Sequence, residues 1–174
     1  MRRADILSLV DFTVGQFDAL IARGLAPISA SRREKGWGTF SADDALRVGL
    51  FAALNRAGVS QAQSAAIVRS QYELLLERLE RDAPSDVWFG IFKSVARAQG
   101  EPSAALALPL IATIAEFADE MRRIQTVTGD GDPVESLVVI NATSVMRSML
   151  KRADELGIAD DRLSELARKV GAVR

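Results

Sequence analysis

Apolar positions in the first part of the chain recur at helical spacing and are interrupted at short intervals. Ile6, Leu7 and Val10 predict a short first helix over Ala4–Val10. Asp11-Phe12 breaks the run, and Thr13-Val14-Gly15-Gln16 then forms a Thr-x-x-Gln capping box. In that motif the Thr13 hydroxyl accepts from the Gln16 amide while the Gln16 side chain reaches back. Val14, Phe17, Leu20 and Ile21 make one stripe behind it, and Gly24, Leu25 and Pro27 supply a stop. A second helix is therefore expected over about 14–23. Two short helices so closely joined match a helix-turn-helix, although an ordinary helical hairpin has the same pattern.

Residues 26–40 carry few helix signals and end in GWGTF, where Trp37, Thr39 and Phe40 suggest a short strand. Ser41 is a good N-cap, Asp43 and Asp44 favour the positive end of a helix, and Leu46, Leu50, Phe51 and Leu54 face a core. Gly58 closes this third helix. Ser60-Gln-Ala-Gln63 is another capping box, opening a fourth helix that runs to about Asp82. Its apolar residues exceed one stripe, with Ile67, Val68, Tyr72, Leu75 and Leu79 joined by Leu74 and Leu76. The surplus predicts burial against a second chain or against the C-terminal half.

Ala83-Pro84-Ser85 is the clearest boundary, and the pattern changes beyond it. Asp86–Lys93 reads as a strand, and the alanine- and leucine-rich stretch from Pro102 to about Arg123 as a helix limited by Pro109. Residues 124–128 and 136–140 read as a β-hairpin around Gly129-Asp-Gly-Asp-Pro133. Asn141 or Thr143 can cap a helix through about Leu156, and Asp160-Asp161 can open a last one to Val170. There is no internal repeat or low-complexity tract.

Composition narrows the classes. A chain of 174 residues, 48% hydrophobic and 26% charged, suits one globular domain or two small ones sharing a core. Aromatics at 6% argue against a β-sandwich. The net charge of −1 conceals an asymmetry: residues 1–72 carry +3 and residues 73–174 carry −4. Such a contrast fits a binding head joined to a partner or dimer module.

The chain has no cysteine and no histidine. That removes Cys/His zinc sites, thiol redox chemistry and the Ser-His-Asp or Cys-His triads. Asp130 and Asp132 lack the spacing and closing glutamate of a calcium loop, so a turn is their expected use. Glu116 and Glu120 share a helical face without a second motif, and Glu135 has no catalytic spacing towards Arg122 and Arg123. No enzyme activity, metal or cofactor is expected. The basic start MRRADILSLV is interrupted by Asp5, Ser8 and Asp11 and is too short for a signal peptide or membrane span. A soluble cytoplasmic protein without membrane association is expected.

The order is helix, tight turn, helix, basic loop ending in Gly-aromatic…aromatic, a helix opened by Ser-x-Asp-Asp, then a Gly-x-Ser step into a long helix. It resembles the MerR-type winged helix-turn-helix transcriptional regulators over about residues 4–72. The matching stretches are DFTVGQFDALIARGLAPI, GWGTFSADDAL and LNRAGVSQAQSAAIV. The resemblance implies a mainly α fold with a winged helix-turn-helix DNA-binding domain over 1–72. The end of the long helix and a linker would occupy 73–85. A small α+β unit over 86–174 would serve dimerisation, an effector or a protein partner.

It further implies that the helix over about 14–23 enters the major groove of double-stranded DNA, that the basic wing 31–40 lies on the phosphate backbone, and that the long helix pairs two chains in a homodimer. Carried over by position, the start of the recognition helix is Thr13, Val14, Gln16 and Asp18, and the wing is Arg32, Arg33, Lys35, Trp37 and Thr39. Gln16 could read adenine or serve the helix cap. Arg32, Arg33 and Lys35 could neutralise phosphates or form a solvated loop with Glu34. Trp37 could pack on a sugar or shield the core, and Arg2, Arg3, Arg23, Arg47 and Arg56 could widen the basic face. Gly15, Asp18 and Gly38 stand where the family commonly has arginines. They support the alternative of a protein–protein adaptor on the same scaffold. A third alternative is a ligand-binding module with its pocket in 86–174.

Overall fold

The polar residues that open helices set most element boundaries. The computed structural model describes residues 1–28, 39–82, 85–96, 104–128 and 134–170. In chain order these form α1 (Arg3–Val10), α2 (Val14–Ala22), α3 (Ala42–Arg56), α4 (Gln61–Arg81), β1 (Val87–Ala96), β2 (Ala104–Thr113), α5 (Phe117–Thr128), β3 (Val134–Asn141), α6 (Ala142–Glu155) and α7 (Asp161–Lys169). The protein is thus mainly helical, with one three-stranded antiparallel sheet of order β2-β1-β3.

The caps are those the sequence offers. The Gln16 amide donates to the Thr13 hydroxyl at 3.2 Å, and the Thr13 amide donates to the Gln16 side-chain oxygen at 2.8 Å. Ser41 and Asp44 make the same reciprocal pair at 3.1 and 3.0 Å. Asn141 accepts from the Ser144 amide at 2.8 Å, and Asp160 from the Leu163 amide at 3.2 Å. Each such cap contributes about 1 kcal/mol. Gly24 follows α2 at φ 66°, a left-handed turn that suits glycine, and lets the Leu25 amide donate back to the Leu20 carbonyl at 2.8 Å.

Helix α3 lies at the centre, with eleven of its fifteen residues buried. Helices α1, α4 and α6 pack around it, and one continuous apolar core runs from Ile6 to Val170. The α6 contact is close because Gly49 has no side chain: a Cβ there would meet the Met149 sulfur at 2.0 Å. The apolar surplus of α4 is used largely within the chain. Ile67, Val68, Tyr72, Leu75, Leu76 and Leu79 are buried, and α4 packs on α3, β1 and β2, while Leu74 stays exposed.

Strand β1 shows two-residue alternation. Val87, Phe89 and Ile91 join the main core, whereas Phe92 turns to the other face and meets Leu110, Phe117 and Met121 under α5. Thr143 ties sheet to helix: its buried hydroxyl accepts from the Val87 amide at 2.9 Å.

Two expectations are corrected. Residues 104–113 are an edge strand rather than the start of a helix, paired to β1 with Val87 opposite Thr113. Pairing with the already apolar β1 outweighs the helix propensity of alanine and leucine, and Pro109 is tolerated because an edge strand need not use every amide. Residues 124–128 are not a strand either but the end of α5. That helix is opened by Glu116, which accepts from the Thr113 amide at 3.0 Å, and it covers the sheet through Phe117 and Met121. The strand expected at 136–140 does form, as β3, but its partner is β1. The turn expected at 129–133 lies outside the described residues, as does Trp37 of the strand expected at 37–40. Thr39 and Phe40 are not in a strand. Among the described residues no helix is long and apolar enough to cross a membrane.

Helix α7 is held to α3 and α4 by charge. The Tyr72 hydroxyl donates to Asp43 at 2.8 Å, the Arg47 guanidinium lies 4.3 Å from the Tyr72 ring centre, and Arg162 comes within 3.7 Å of Asp43. Lys169 reaches Glu80 at 3.0 Å. Burial first, then the Asp43 carboxylate, pushes the Tyr72 phenol far above its ordinary pKa of 10.0.

A phenol kept neutral in the folded state, but free to ionise when unfolded, stabilises the fold fully below the ordinary tyrosine value. That contribution is lost as pH rises beyond it. Urea unfolding of the wild type between pH 9 and 11 should therefore show a decline in stability (~1 pH unit either side of the ordinary value) that Tyr72→Phe reduces. An equal decline in both proteins would remove Tyr72 from the account. Thr143→Val should cost about 1–3 kcal/mol by leaving the Val87 amide unpaired, with Thr143→Ser restoring most of it. Equal stability of the valine and serine variants would contradict that assignment.

Candidate nucleic-acid interface

Helix α1 ends at Asp11, whose φ of 58° is left-handed, a conformation that a short polar side chain tolerates better than most. Three residues later the chain is again helical, and α2 turns Phe17 and Leu20 inwards. Its outward residues are Thr13, Val14, Gly15, Gln16, Asp18, Ala19 and Ala22, with Val14 56% exposed.

Arg3 clasps the two helices together. Its guanidinium pairs with Asp18, donates to the Val14 carbonyl at 3.4 Å and lies 5.9 Å from the Phe17 ring centre. The Asp18 charge is thereby opposed within the helix pair. The Gln16 side-chain oxygen is engaged by the Thr13 amide, so the capping role is the one observed. A bidentate contact to adenine uses both the oxygen and the nitrogen of the amide. Gln16 would have to leave its cap to make one.

The described ends of the basic stretch are fixed against α2. On one side Arg69, from α4, donates to the carbonyls of Gly24 and Ala26, and Ile28 is buried. On the other side the Phe40 amide donates to the Met1 carbonyl and the Met1 ammonium to the Phe40 carbonyl, each at 2.8 Å. The Phe40 ring meets Phe17 edge-on, with centroids 5.8 Å apart. Thr39, exposed, stands beside this anchor. Arg32, Arg33, Lys35, Trp37 and Gly38 lie outside the described residues.

Thr13, Val14 and Gln16 are thus together at the start of α2, and Ile28 and Phe40 join the same apolar core as Phe17. The other front-half arginines divide. Arg47 is engaged by Glu73 at 2.6 Å and by Tyr72, and Arg23 approaches the Gln61 oxygen at 3.5 Å. Arg56 is exposed at the end of α3. Sequence reasoning missed the Arg69 tie, the Arg3–Asp18 pair and the approach of Arg152, on α6, to Asp11 at 3.8 Å, because each depends on residues distant in sequence. Among the described residues no group of three or more acidic side chains could hold a metal ion.

Thr13→Ala should lower stability by about 1 kcal/mol in urea unfolding, with Thr13→Ser near neutral. Arg3→Ala should cost less than about 1 kcal/mol, since its ion pair is partly solvated. A neutral Thr13→Ala variant would show that the capping box carries no stability. No family model matches the chain, and no curated protein or solved structure matches it either.

Proposed function

We propose that the chain is a DNA-binding transcriptional regulator with an N-terminal MerR-like winged helix-turn-helix. Helix α2 enters the major groove, and Arg32, Arg33 and Lys35 meet phosphates from a wing over 31–40. The observation that supports this reading most is the anchoring of residues 28 and 40. The basic stretch leaves and rejoins a platform built on α2, through Arg69 on one side and the Phe17–Phe40 contact on the other. A helix and a loop that share one rigid base can engage a groove and its backbone together. In the homodimer, two such heads lie about one turn of DNA apart.

The adaptor reading draws on one specific feature. The outward face of α2 offers exposed Val14 with Gly15, Ala19 and Ala22, and no lysine or arginine before Arg23. Recovery of a stoichiometric protein partner from nucleic-acid-free lysate, without DNA binding, would favour it.

Duplex DNA should bind with an affinity that weakens as salt rises. Each of Arg32→Ala and Arg33→Ala should reduce the slope of log K against log salt by roughly one. Absence of salt-dependent binding to any genomic fragment would overturn the regulator reading.

A further inference from the structure

Two adjoining hollows carry cations and almost no carboxylate. The first, of about 310 Å3, lies between the end of α1, the middle of α3 and the face of α6. Its floor is apolar, with Val10, Gly49, Ala52 and Met149. Arg56 and Arg152 line it with Ser144 and Ser148, and Asp11 is its only acidic residue. The second hollow, of about 260 Å3, shares Ala52 and Arg56 with the first and extends to Gln16 and Arg23 on the α2 side. It contains no acidic residue. The joint surface therefore holds three guanidinium groups against one carboxylate, in a chain whose net charge is −1.

Elsewhere the arginines are mostly matched, as in Arg3–Asp18, Arg47–Glu73 and Arg78–Glu116. Arg56 has no ion-pair partner among the described residues. Arg152 lies 3.8 Å from Asp11, whose side chain is 84% exposed, so water screens that pair. Ser144 and Ser148 stand one helical turn apart on α6 and place two hydroxyls along the same wall. Two guanidinium forks and two neutral hydroxyls lining one hollow suit a tetrahedral oxyanion, whose several acceptor oxygens each take an N–H or O–H.

We propose that the groove between α3 and α6 binds a phosphate group through Arg56 and Arg152, with Ser144 and Ser148 as neutral donors. The phosphate can come from two sources. One is the backbone of a duplex held by α2, reached through the second hollow. That form rests on the regulator reading and would bring the C-terminal half into the DNA interface. The other is a free phosphate-bearing molecule, which does not depend on DNA binding. In either case the ligand competes with Asp11 for Arg152 at the turn between α1 and α2.

The full chain and its Arg56→Ala/Arg152→Ala variant are to be titrated with a mixed-sequence duplex at several salt concentrations. Separately, both are melted with inorganic pyrophosphate at matched ionic strength. Arg122→Ala, on α5, is the control, and Arg56→Gln/Arg152→Gln repeats the test should the alanine pair fail to fold. For a backbone phosphate, the slope of log K against log salt falls by roughly two in the double variant and stays unchanged in the control. For a free phosphate, pyrophosphate raises the Tm of the wild type and control but not of the double variant. If no protein binds duplex, the regulator reading fails while the pyrophosphate arm still decides this one. Identical slopes and identical pyrophosphate responses in wild type and double variant would overturn the proposal.

Discussion

Helix α3 must be covered on almost every side, and the positions of the other elements follow from that requirement. Its buried residues run from Ala42 to Leu54 and include the Asp44 carboxylate, which is sheltered because it completes the Ser41 cap. Burial of this apolar surface, at roughly 25 cal/mol per Å2, is the main term holding the fold. Helix α1 covers one side, α4 a second and α6 a third, with Gly49 letting Met149 of α6 pack directly on the α3 backbone. The sheet then closes on α4 and α6, and Thr143 fixes where β1 begins. Because Phe17 and Leu20 of α2 and Phe40 also join this core, their placement depends on α3 as well.

Much of the helical frame was legible in the sequence because capping is local. Thr13 with Gln16, Ser41 with Asp44, Asn141 and Asp160 each act within three residues, so their identity and spacing announce a helix start. Residues 104–128 were not legible for the opposite reason. A run such as AALALPLIAT has helical propensity, and its conversion to a strand depends on β1 across a register no local signal encodes. Once β2 takes that place, Glu116 opens α5 instead, and residues 124–128 continue that helix rather than forming the strand expected to pair with 136–140. The candidate interface was legible in its helix and in its basic composition. The tertiary ties that give it shape, Arg3 to Asp18 and Arg69 to the end of α2, were not.

Electrostatics divides the surface in a way net charge hides. Around α7 and the end of α4, Arg162 and Lys169 meet Asp43, Glu80 and Glu165, so those cations serve the fold. Along the line from α2 to α6 the arginines face few carboxylates. A field of this kind attracts a polyanion over about a Debye length, roughly 8 Å at physiological salt, even when the whole chain is nearly neutral. Asp18, the one carboxylate on the outward face of α2, is paired with Arg3.

The central claim is that α2, with the basic stretch fixed beside it, forms a DNA interface. Chemical-shift perturbation of the isotope-labelled full chain by a short duplex at low salt tests it residue by residue. The account predicts that the amides of 13–23 and 31–40 move most, with α5 and the sheet unmoved. Perturbation confined to α5 or the sheet, or no perturbation at all, would contradict it.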